Sequence, residues 1–177
     1  VDGVIAVCAG AGGHAGALSP FALVGELRKE FDGALILSGS ITRGDDVLAA
    51  TAMGADLAYS GTRFIATEEA RAVPDYKEMI VESTASDIVN SSLFTGVHGN
   101  YLAGSIANAG MDPANLPSGS KDDMDFSKAT ATDAKAWKDI WGAGQGVGNI
   151  HDIVPAREVV MRMEQEYRDA LARINAA

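Results

Sequence analysis

Val4-Ile5-Ala6-Val7-Cys8, followed after one residue by Gly10-Ala11-Gly12-Gly13-His14-Ala15-Gly16, is the stretch on which the fold turns. A short apolar run with no polar alternation reads as a strand buried on both faces. The glycine-rich loop breaks it, and Ser19-Pro20 then supplies a helix N-cap with proline at the first helical position. Phe21, Val24, Leu27 and Phe31 continue at helical spacing, and Asp32-Gly33 closes the unit.

The pattern repeats twice. Ala34-Leu35-Ile36-Leu37 is a second strand and Ser38-Gly39-Ser40 a second small-residue loop, with a helix from Asp45 to Met53 stopped by Gly54. Leu57-Ala58-Tyr59 is a third strand that leads into Ser60-Gly61-Thr62-Arg63-Phe64. Strand, loop and helix in strict alternation specify an α/β fold with parallel strands and right-handed crossovers. The three loops then open at one sheet edge, the C-terminal one, where such folds bind ligands. Glycine lets backbone N–H groups approach a phosphate there.

Beyond Phe64 the strand signal stops. Thr67-Glu68-Glu69 predicts a helix start, and Asp75 to Val89 is amphipathic, with Tyr76, Met79, Ile80 and Ser83 on one face. Turn formers fill Met111 to Lys128, a short helix is expected over Asp133 to Trp141, and a fourth glycine stretch spans Gly142 to Gly148. From Pro155 a long helix places Val160, Met163, Tyr167, Leu171 and Ile174 three to four residues apart. The chain thus divides into strand–helix units over 1–66 and a helical region over 67–177.

The 177 residues carry 14 Lys and Arg against 24 Asp and Glu, a net charge of −10, which argues against nucleic acid and anionic lipid as partners. Cys8 is the only cysteine, so no intrachain disulfide or thiolate cage can form, and its apolar setting reads as a buried small hydrophobe. His14, His98 and His151 show no metal-ligand spacing, and no metal is expected. With neither a signal peptide nor a 20-residue apolar span, a cytoplasmic protein is the expectation. His14, set among glycines at the ligand edge, is the candidate near-neutral base, and His98 and His151 are read as structural.

These motifs carry a resemblance. Ala11-Gly12-Gly13-His14-Ala15-Gly16 resembles the histidine loop of the nitronate monooxygenases, formerly called 2-nitropropane dioxygenases. Gly61-Thr62-Arg63-Phe64 with Ala66-Thr67-Glu68-Glu69 is similar to that family's last-strand motif, and Trp141-Gly142-Ala143-Gly144-Gln145 to its C-terminal motif. The resemblance implies a TIM barrel of which this chain supplies about strands six to eight and a helical C-terminal region. Such a barrel takes about 250 residues. Its N-terminal half is therefore expected outside this chain, and the strands here would present an apolar inner face to that half or to a partner copy.

The resemblance also implies FMN, held at Gly12, Gly13, Gly39, Ser40, Gly61 and Thr62, with His14 as catalytic group and an alkyl nitronate and O₂ as reactants. Ser40 stands where the family commonly has glycine, so position 40 is expected to avoid a glycine-only backbone angle. Arg63 is open to two readings, a phosphate clamp or a salt bridge at the barrel edge. Lys135, Lys138 and Gln145 could reach the substrate side by the same analogy, or be solvated. Two alternatives stand beside this reading. One is an FMN-dependent enoyl reductase acting on carrier-bound acyl chains; the other is a phosphate- or nucleotide-binding module without catalysis.

Overall fold

The computed structural model describes residues 1–117 and 138–176. Strand and glycine turn alternate along the first part of the chain as its apolar runs predict. β1 (Gly3–Val7) enters the first glycine loop, which holds a two-residue strand of its own, β2 (Gly13–His14), and continues into α1 (Pro20–Glu30). Then come β3 (Ala34–Ser38), α2 (Gly44–Met53), β4 (Leu57–Tyr59) and the single turn α3 (Thr62–Ile65). The boundaries follow from local chemistry. The Ser19 hydroxyl accepts the Ala22 N–H at the start of α1, and Gly54, at φ 109°, ends α2 in the left-handed region.

β1, β3 and β4 pair in parallel in that order, setting Ile5 beside Ile36 beside Leu57, and Val7 beside Ser38 beside Tyr59. The alternate positions Ala6, Leu35 and Leu37 face the other way and form a core with Val24 of α1 and Ala50 of α2. Among the described residues, only that face is covered. Ile5 is 51% exposed, Val7 38%, Leu57 59% and Tyr59 55%. Burial on both faces therefore holds for one face here, because α1 and α2 pack on a single side of the sheet. The other side is the apolar inner face that the sequence anticipates.

The region after residue 66 is mixed rather than helical. It contains α4 (Pro74–Glu82), a 3-10 turn (Ala85–Asp87), β5 (Ile88–Ser91), β6 (Gly99–Leu102), α5 (Ala103–Asn108), a second 3-10 turn (Gln145–Asn149) and α6 (Ala156–Asn175). β5 and β6 join β2 in an antiparallel sheet of order β2-β6-β5, with Gly13 opposite Asn100 and His14 opposite Gly99. The expected helix at Thr67 does not form. Instead the Glu69 carboxylate accepts the Ala156 N–H at 2.9 Å and so caps α6, while Thr67 bridges to Val154. Most of the helix expected over Asp133 to Trp141 lies outside the described residues.

Along α6 the buried positions are Val159 and Ala170, with Met163 and Tyr167 half-buried, whereas Val160, Leu171 and Ile174 are exposed. The apolar spacing is right but turned about the helix axis. The reason lies at Gly44, where a Cβ would come within 2.1 Å of the Met163 carbonyl oxygen, so α2 and α6 touch backbone to backbone. The Gly44 N–H donates to Glu166 at 2.7 Å. No described helix is long and apolar enough to cross a membrane.

Arg63 resolves to the salt-bridge reading. It is buried, donates to the Asp152 carbonyl at 2.9 Å and pairs with its carboxylate at 3.0 Å, which Arg162 also engages at 2.7 Å. Burial alone would raise the Asp152 pKa, but Arg162 and Arg63 outweigh it and hold the carboxyl below its ordinary value. The stabilisation is therefore full above the unfolded value of about 3.9 and is lost as pH falls through the lowered folded value. Arg63→Met is expected to cost about 1–2 kcal/mol at neutral pH. The gap from wild type should narrow in denaturant melts taken below about pH 3.

Candidate active site

The three predicted loops and the fourth glycine stretch meet in one cleft of about 290 Å³. Gly12, Gly13, Gly39, Ser40, Gly61 and Thr62 all line it, together with Thr42, Gly142, Gly144 and Gly146. The glycines there serve two purposes. A Cβ on Gly12 would lie 2.7 Å from the Gly144 nitrogen, and one on Gly39 would lie 2.3 Å from the Cys8 sulfur, so these two let loops close on each other. A Cβ on Gly13 or Gly61 would meet nothing within 4 Å, so these two open onto the cleft.

Hydrogen bonds then fix the frame. Gln145 N–H donates to the Gly10 carbonyl at 3.0 Å, and Gly144 N–H to the Thr62 hydroxyl at 2.9 Å, which leaves that hydroxyl's own proton free for a ligand. The backbone N–H groups of Gly39, Ser40, Gly61 and Thr62 donate to no group among the described residues. By contrast, the first turn of α2 is already satisfied. Asp46 accepts from the Thr42 and Arg43 amides, and Glu166 from that of Gly44. An anion in this cleft therefore has the free amides of the second and third loops to meet, with no lysine or arginine in the lining among the described residues.

Ser40 does not avoid the left-handed region: its φ is 57°, and no other non-glycine residue described has a positive φ. Gly39 at φ 132° and Ser40 together make a sharp reversal, held where the Ser40 hydroxyl donates to the Gly10 carbonyl at 3.4 Å. A side chain in this region costs about 1 kcal/mol. Ser40→Gly is accordingly expected to raise stability by roughly 0.5–1 kcal/mol, read as a higher denaturation midpoint with ligand binding retained.

Asn100 holds the first loop in place. It is 1% exposed, its amide donates to the carbonyls of Ala9 and Ala11 at 2.7 Å each, and its oxygen accepts from Asn90 at 2.9 Å. Its role is not marked in the sequence, since Gly99-Asn100-Tyr101-Leu102 has no periodicity that signals a strand.

His14 projects from β2 beside a second hollow of about 220 Å³, lined by Gly13, His14, Tyr76, Tyr101, Ile140, Trp141 and Gly142. The two hollows share Gly13 and Gly142. Tyr76 and Trp141 stack with ring centroids 5.0 Å apart. The Tyr76 hydroxyl donates to the Gly142 carbonyl, and burial pushes its pKa up to about 12, so it stays protonated. Among the described residues, His14 is the only imidazole in this lining, and none of them brings a carboxylate to it. His14 is exposed, and the one side-chain hydrogen bond it makes among the described residues joins Nε2 and the Thr95 hydroxyl at 3.0 Å.

His98 is exposed and pairs through Nδ1 with Asn90 at 2.7 Å. Lys138 is exposed, and its carbonyl accepts the Trp141 indole N–H. Gln145 contributes its backbone, its side chain making no hydrogen bond among the described residues. Lys135 lies outside the described residues.

This arrangement coincides with a known family. Residues 1–166 match the family model for nitronate monooxygenase. The chain belongs to the nitronate monooxygenase family. The nitronate monooxygenase of Paraburkholderia phytofirmans is 29% identical over 189 residues, taking in 98% of this chain and 51% of that protein. Among solved structures, the nitroalkane oxidase of Streptomyces ansochromogenes superposes with a TM-score of 0.77 at 25% identity, covering 98% of this chain and 54% of that one. FabK of Thermotoga maritima does so with a TM-score of 0.75 at 25% identity, covering 99% of this chain and 57% of that one. The chain spans about half the length of the curated relatives it matches.

Proposed function

We propose that this chain forms the flavin-phosphate cradle and catalytic wall of a cytoplasmic, FMN-dependent enzyme that oxidises alkyl nitronates with O₂ to a carbonyl compound and nitrite. In this reading β1, β3 and β4 are the sixth to eighth strands of a (β/α)₈ barrel, and residues 1–66 hold the cofactor while 67–177 form the substrate side. The exposed row of Ile5, Val7, Leu57 and Tyr59 supports it, since barrel strands bury that face against the remaining strands.

The cleft suits FMN. Its phosphate would take the unpartnered amides of Gly39, Ser40, Gly61 and Thr62 with the Thr62 hydroxyl, in the position after the seventh and eighth strands where such barrels bind phosphate. Gly13, open to the cleft at φ 67°, would leave room for the flavin ring. When bound, FMN supplies the electron transfer between substrate and O₂. The protein's own part is orientation and proton handling. His14 would bind and orient a nitronate, or take the α-proton of a neutral nitroalkane. The aromatic wall of Tyr76, Tyr101 and Trp141 would hold the alkyl part and exclude water.

One observation carries this reading: His14 stands on the strand that joins the glycine cleft to the aromatic hollow. Anaerobic mixing of the whole flavin-loaded protein with a nitronate tests it. Rapid bleaching of the flavin, and nitrite release once O₂ is admitted, are expected. The likeness to FabK favours a second reading, enoyl reduction. Fast bleaching by NAD(P)H with turnover of an enoyl thioester, and none by nitronates, would establish that one instead.

A further inference from the structure

The Thr95 hydroxyl lies in the turn between β5 and β6, 7% exposed, and three groups surround its oxygen. It donates to the Val97 carbonyl at 2.9 Å, receives the Val97 N–H at 3.4 Å, and faces His14 Nε2 at 3.0 Å. A hydroxyl has one proton to give and two lone pairs to offer. A carbonyl can only accept, so the Val97 contact uses the proton. What remains for His14 is a lone pair, and the imidazole must be the donor there.

We infer that Thr95 is a positioning residue for His14. It holds the neutral ring as the Nε2–H tautomer and leaves the Nδ1 lone pair as the base that meets the substrate. Nδ1 makes no hydrogen bond among the described residues, as a base awaiting substrate requires. With the opposite tautomer the hydroxyl would have to turn its proton toward Nε2 and abandon the Val97 carbonyl. One such bond is worth roughly five- to tenfold in the tautomer equilibrium. The backbone reinforces the geometry, since Ala15 N–H donates to the His98 carbonyl at 3.1 Å and keeps the turn against β2. The inference rests on the proposed role of His14. In the proton step the substrate α-C–H bond breaks, the proton passes to Nδ1, and the electron pair delocalises into the nitro group as the nitronate forms.

Histidine ring ¹⁵N shifts of the whole flavin-loaded protein test it, recorded over a pH series up to the plateau at which they no longer change. Replacing His14 alone by Asn identifies its signals among the histidines of the whole protein. The wild type is expected to show His14 as Nε2–H. In Thr95→Val its shifts should move toward a tautomer mixture, and Thr95→Ser should restore them. In parallel, kcat/KM for a neutral nitroalkane should fall about five- to tenfold in Thr95→Val and largely recover in Thr95→Ser. A smaller fall is expected for the preformed nitronate.

An Nδ1–H tautomer in the wild type, which needs no variant to observe, would overturn the inference. So would wild-type shifts or wild-type nitroalkane turnover in a folded, flavin-loaded Thr95→Val protein. If the protein turns over no nitro compound at all, the functional reading fails, while the ring shifts still decide the tautomer.

Discussion

His14→Asn in the whole flavin-loaded protein is expected to lower kcat for a neutral nitroalkane by about 10²–10⁴-fold, the usual worth of a positioned general base. The flavin should stay bound and the fold intact. The His14 side chain is exposed and has one hydrogen-bond partner among the described residues, so its replacement empties no core and removes only one of the contacts at the Thr95 hydroxyl. The other polar group of the aromatic hollow that the structure commits, Tyr76, keeps its proton on the Gly142 carbonyl and cannot act as base near neutral pH. With a preformed nitronate the loss should be milder, about tenfold, because the proton has already gone. Steady-state kinetics beside the flavin absorbance of each preparation separates the outcomes. Unchanged nitroalkane turnover with flavin bound would remove His14 from the mechanism.

Asn100→Leu is the second large effect, and it acts through the loop. The substitution strips the hydrogen bonds from the carbonyls of Ala9 and Ala11, leaves Asn90 without its acceptor, and places a branched side chain in a site closed to solvent. Each buried polar group left unpaired costs about 1–3 kcal/mol, so a loss of roughly 3–5 kcal/mol in stability is expected. Flavin affinity should fall at least about 100-fold, because the first loop loses its clamp to β6. Asn100→Asp preserves shape but not the donor, and should fare no better. Denaturant melts and flavin titration measure both. A stable Asn100→Leu protein with normal affinity would show that the loop holds itself.

The parallel strands and their loops were legible because their chemistry is local. An apolar run closed by a glycine-containing turn identifies β1, β3 and β4, whereas the left-handed angle at Ser40 is not written in its residue type. β5 and β6 were not legible, since Asn90, Ser91 and Asn100 are polar residues within short strands. Partners distant in sequence satisfy Asn100, and hydropathy cannot report such bonds. The same holds for Glu69, which looks like a first-turn acid of its own helix yet caps α6 from 87 residues away. Six loop positions were located from glycine content and resemblance, and one cleft gathers them all. Thr95 and Asn100, which position the histidine and its loop, became visible only through geometry.

The central claim is that backbone amides of the glycine loops hold a flavin by its phosphate. Titrating the whole apoprotein with FMN and with riboflavin, followed by quenching of flavin fluorescence, addresses that claim directly. Two or more charge-assisted hydrogen bonds to phosphate, at about 1.5–3 kcal/mol each, predict that FMN binds at least about 100-fold more tightly than riboflavin. Equal affinities, or binding of neither flavin, would contradict the account.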